Sequence, residues 1–197
     1  MSENLGSFRV PEKIYFKKGC LPVALEELKY VYHKQKVLII TNPALLKQGK
    51  LKPMTDKLNE LGIAYAIHDV STGGMTNAVK IFEPDCMLAF GEDILMSLAS
   101  KLFMIDKKIY LITVPCFAGM HSQVQPIVSD MVIIDTDLMD TAPDMIRWFV
   151  RGALYQAVNA CDSPHATDYT DGMAVRAIAL IFRYLPEVLE NPNNVYA

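Results

Sequence analysis

The sequence predicts a doubly wound parallel α/β sheet followed by an all-helical part, and three observations carry that expectation. Strand-like and helix-like segments alternate over roughly the first 140 of the 197 residues, the rhythm of strands joined by crossover helices. Three strand segments, Val37–Thr41, Cys86–Phe90 and Met131–Asp135, are short and almost wholly apolar, as strands covered on both faces must be. Beyond Pro143 the pattern is helical only. The expected domains are therefore 1–140 and 141–197. The helical part is small for an independent core, so it is expected to pack on the sheet domain or on another chain.

Taken in order, Phe8 to Lys17 alternates apolar and polar residues and reads as a half-buried strand ended by Gly19. Pro22 opens a helix through Val31, with Val23, Leu25, Leu28 and Val31 as its expected inner side. Val37–Thr41 is a central strand, broken by Asn42-Pro43. Leu51–Leu61 is helical with Gly62 as its stop, and Ile63–Val70 is the next strand. The loop Ser71-Thr72-Gly73-Gly74 leads to a short helix, Thr76–Phe82. The strand Cys86–Phe90, the turn at Gly91 and a helix to about Phe103 follow, then the strand Ile109–Val114. Pro115–Pro126 is irregular, Met131–Asp135 is a strand, and helices cover Asp144–Ala160 and His165–Glu190.

Composition narrows the function classes. Net charge is −3, from 19 basic and 22 acidic residues without a basic stripe, which argues against nucleic acid or an anionic membrane as partner. No apolar run is long enough to span a bilayer, and Met1–Ser7 is polar rather than signal-like. The four cysteines, Cys20, Cys86, Cys116 and Cys161, are widely spaced without a CxxC pair, as expected of reduced thiols in a cytoplasmic protein. The 11 methionines read as core residues.

Long strings then point to a family. Phe8-Arg9-Val10-Pro11-Glu12-Lys13-Ile14-Tyr15-Phe16-Lys17-Lys18-Gly19-Cys20-Leu21-Pro22, Phe82-Glu83-Pro84-Asp85-Cys86, Ala166-Thr167-Asp168-Tyr169-Thr170-Asp171-Gly172 and Ile178-Ala179-Leu180-Ile181-Phe182-Arg183-Tyr184-Leu185-Pro186 occur in order along nearly the whole chain. Together they resemble the alcohol-dehydrogenase half of the bifunctional aldehyde–alcohol dehydrogenases, members of the iron-dependent alcohol dehydrogenase family. The resemblance implies a Rossmann-like sheet domain of the kind shared with dehydroquinate synthase, holding NAD(P), and a helical domain holding Fe(II) or Zn(II). The metal would polarise the alcohol or aldehyde oxygen while hydride moves to or from the nicotinamide.

Residue by residue, the sequence departs from that pattern. The family's glycine-rich phosphate turn matches Gly91, Glu92, Asp93 and Ile94, so one glycine remains and two carboxylates stand where a diphosphate would lie. The cofactor-side aspartate of the next helix matches Ser97, and the ribose-reading aspartate matches Asn42. In the loop beside the nicotinamide, Ala118, Gly119 and Ser122 persist, but Cys116, Phe117 and Met120 replace small hydroxyl residues. The aspartate and histidine that the family sets four residues apart on one helix, both aimed at one ion, match Gly152 and Gln156. The resemblance places two further histidine ligands past Ala197. The expected reading is therefore a non-catalytic homologue with no cofactor and no metal, in a truncated helical domain.

Such a pseudoenzyme would act by assembly, as a homo-oligomer or in a hetero-complex with a full-length aldehyde–alcohol dehydrogenase. The resemblance assigns the N-terminal strand, with Phe8, Val10, Ile14 and Phe16, to the interface. Two other readings stay open: an NAD(P)-dependent alcohol dehydrogenase or aldehyde reductase with a rebuilt site, and a small-molecule binding module without turnover. Weaker candidates are a Cys116–His121 nucleophilic pair and a His165–Asp168–Asp171 metal cluster, the latter better explained by helix capping. Ser71–Gly74 reads as a plain loop. Trp148, with Phe149 and Tyr155, is expected to plug the vacated metal site.

Overall fold

The computed structural model describes residues 10–91, 99, 109–116, 129–139 and 143–191. Its centre is a six-stranded, wholly parallel sheet in the order β1-β6-β5-β4-β2-β3. The strands are β1 (Lys13–Phe16), β2 (Lys36–Thr41), β3 (Ala64–Asp69), β4 (Cys86–Gly91), β5 (Tyr110–Pro115) and β6 (Met131–Ile134). The helices are α1 (Leu21–Tyr30), α2 (Pro43–Lys47), α3 (Lys52–Glu60), α4 (Met75–Phe82), α5 (Pro143–Cys161) and α6 (Asp168–Glu190). The chain divides into two compact units; among the described residues, one runs from Pro11 to Met139 and the other holds Val10 and residues 143–191.

Strand alternation splits the sheet's side chains between two cores. On one face Val37, Ile39, Cys86, Leu88, Phe90, Ile112 and Val114 pack with Leu25 and Leu28 of α1 and Met54 and Leu58 of α3. On the other, Leu38, Ile40, Met87, Ala89 and Leu111 pack with Ala99 and with Ala78, Val79 and Phe82 of α4. Every residue of β4 is buried, which is why this strand reads as an unbroken apolar run.

Carboxylates tie the loops to the strands. Asp135, itself buried, accepts hydrogen bonds from the backbone N–H groups of Gly19 (2.8 Å), Leu21 (2.9 Å) and Asp137 (3.1 Å), so the end of β6 satisfies donors at the start of α1. Asp85 accepts from Gln35 and Lys36 at 2.8 and 3.0 Å. Asp130 accepts from Leu111 at 2.8 Å.

Four expectations need correction. The inner side of α1 is Leu21, Ala24, Leu25 and Leu28, a set spaced i, i+3, i+4, i+7 along one helix face; Val23 lies on the opposite side and Val31 follows the helix as its C-cap, and both are exposed. Asn42-Pro43 does more than break β2: it starts α2, with Asn42 as N-cap and Pro43 in the first turn. The last helix starts at Asp168, not His165, because Thr167 and Thr170 form a reciprocal capping box there. Trp148 is 60% exposed while Phe149 is buried. Trp148 and Phe149 point about 100° apart, and the inward direction on α5 is that of Phe149, so Trp148 plugs nothing.

Candidate functional site

The register of the sheet brings two of the sequence-assigned positions together. Ile40 of β2 pairs with Ala89 of β4, so Asn42 and Gly91, each two residues further on, stand side by side at the C-terminal edge. β2 is flanked by β3 on one side and β4 on the other, so the chain's strand order reverses at this edge, the place where open α/β sheets bind ligands. Gly91 pairs with Pro115 and its carbonyl accepts from Cys116 N–H at 3.1 Å, which adds Cys116 to the row. Gly91 has φ 151°, a conformation that favours glycine.

The polar groups at this edge are largely turned to structural work. Asn42 Oδ1 accepts from Leu45 N–H at 2.9 Å and closes the first turn of α2. Thr41, one residue earlier, is fully buried, and its Oγ1 has no hydrogen-bond partner. Sequence reading passed over Thr41; the signal was a lone hydroxyl ending an apolar run. Cys116 is buried, as are Cys20 and Cys86, while Cys161 is exposed. Burial pushes the Cys20 and Cys86 thiols above their ordinary range, the opposite of what a nucleophile requires.

On α5, Gly152 is half-buried and Gln156 exposed. One turn apart, they share a helix face as the sequence spacing requires. No group of three or more His, Cys, Asp or Glu among the described residues is placed to hold a metal ion. His165 stands before α6, its N–H donating to Ser163 Oγ at 3.2 Å, while Asp168 and Asp171 lie in the first turn of the helix. The Ser71–Gly74 loop is closed on itself: Asp69 accepts from Ser71 N–H at 2.8 Å, and Thr72 Oγ1 donates to the Asp69 carbonyl at 2.7 Å. Glu92, Asp93, Ser97, Ala118, Gly119, His121, Ser122 and Phe8 lie outside the described residues.

At the opposite side of the sheet, β1 is an edge strand. Ile14 and Phe16 alternate outward, 48% and 75% exposed. Their register partners, Val132 and Ile134, are only half-buried. The interface candidates of this strand thus form an uncovered apolar strip, and Val10 is exposed as well.

Comparison with known proteins fixes the lineage. The chain is 30% identical to the aldehyde-alcohol dehydrogenase of Clostridium acetobutylicum over 245 aligned positions, covering 96% of this chain and 28% of the relative. It belongs to the iron-dependent alcohol dehydrogenase family. The chain spans less than a third of that relative's length, and the aligned span exceeds the 197 residues present here, so the relative holds residues in this stretch that the chain lacks. Solved structures share the fold. A Thermotoga maritima iron-containing alcohol dehydrogenase superposes with a TM-score of 0.73 at 20% identity, covering 94% of this chain and 63% of that one. Sulfoacetaldehyde reductase from Bifidobacterium kashiwanohense, solved with NAD+, gives 0.79 at 19%, covering 96% and 62%. No family model matches the chain.

At the ligand positions that the resemblance assigns, the side chains on α5 lack the chemistry to hold a metal. The two helix positions that the resemblance assigns to ligands offer no side chain at Gly152 and a neutral amide at Gln156, whereas a divalent ion of this kind takes imidazole, carboxylate or thiolate. For the nucleotide, the described part of the edge supplies Gly91 and an Asn42 whose carbonyl oxygen already caps a helix. No helix among the described residues is long and apolar enough to cross a membrane.

Proposed function

We propose that this chain is a non-catalytic member of the family that acts by association, with a second copy of itself or with a full-length aldehyde–alcohol dehydrogenase. The reading rests on α5, where the two positions that the resemblance assigns to metal ligands hold Gly152 and Gln156. Losing one ligand can be repaired by a neighbour; losing both on one helix face removes the pair whose geometry defines the site. The exposed residues Ile14 and Phe16 on the strand at the edge of the described sheet supply what supports an assembly role, namely apolar side chains turned outward along a sheet edge.

The test is native mass spectrometry of the purified protein, alone and mixed with a full-length family enzyme, with metal and nucleotide analysis of the same sample. A metal-free, nucleotide-free dimer or mixed complex that Phe16→Glu dissolves is the expected result. A monomer carrying stoichiometric metal or nucleotide would overturn the proposal in favour of an active or ligand-binding protein.

A further inference from the structure

No further inference is drawn: the strongest candidate, the apolar groove between α5 and α6 lined by Val150, Leu180, Ile181, Tyr184, Leu185 and Val188, carries none, because nothing in the structure shows what covers it.

Discussion

The sheet unit and the helical unit are held in different ways. In the first, two apolar layers close both faces of the sheet, and central residues such as Phe90, Leu88 and Met54 have essentially no exposure. In the second, only Phe149, Ala157 and Ala174 among the described residues are buried, while Trp148, Tyr155, Tyr169, Met173, Val175 and Phe182 are exposed. Two helices cannot cover all their apolar sides with each other. The sheet unit therefore has a closed core whose residues are set by packing, with exposed apolar residues such as Ile14, Phe16 and Ile81 at its margins. The helical unit carries apolar surface in excess of its own needs, and its residues are better understood through what they meet.

The comparison breaks first on core truncations. Phe90→Ala removes a fully buried ring from the middle of the sheet and should cost about 3–5 kcal/mol, read as a fall in the urea midpoint. Phe149→Ala, at the edge of a thin core, should cost less than half of that. Equal losses would mean that the helical unit is as tightly packed as the sheet, and the contrast drawn above would fail. Next in size is Asp135→Ala. It leaves the donors of Gly19 and Leu21 without their acceptor at a buried helix start, and should cost about 2–3 kcal/mol in the same measurement.

Much of the fold was legible because burial writes itself into strand composition. β2, β4 and β5 are apolar along their length since both faces are covered, and the run Cys86–Phe90 could be nothing else. Helix faces were less legible: α1 offers apolar residues on more than one side, the stripe Leu21, Ala24, Leu25 and Leu28 is the one buried, and Val23 and Val31 are left exposed. α2 went unseen because Asn42-Pro43 reads equally as a strand end and as a helix cap. The candidate site was legible only through family likeness. Gly152 and Gln156 are unremarkable helix residues by composition, and it takes the family's ligand positions to make them informative. Trp148 misled because a large aromatic on an amphipathic helix implies burial, whereas the buried side of its helix is that of Phe149.

A smaller effect sharpens the account of the sheet edge. Asn42→Ala removes the cap of α2 and should cost about 1 kcal/mol, while Asn42→Asp, which keeps an acceptor at the cap, should cost less. The same pair of variants tests whether Asn42 has any second duty. If nucleotide binding is found and Asn42→Ala abolishes it while Asn42→Asp strengthens it, the side chain serves a ribose as well as a helix.

The smallest expected effect concerns the link between β1 and α1. The Lys13 ammonium pairs with the Glu27 carboxylate. Hydrogen bonding, first from Lys13 and then from Tyr15, holds the Glu27 carboxyl below its ordinary value, and Glu27 in turn raises Lys13. The sign follows from linkage. A carboxyl whose value is depressed on folding adds stability above its unfolded value and loses it as pH falls through the folded one. Melting temperatures of the wild type and of Glu27→Gln should therefore differ near neutrality and converge as pH drops below the ordinary carboxylate range. The difference should also shrink with added salt, because both side chains are partly exposed to solvent. A gap that persists unchanged into strong acid would mean that Glu27 supports α1 through packing of its stem rather than through charge. In that case β1, the strand with the exposed apolar strip, would be held by its ladder to β6 and its packing, with no help from the ion pair.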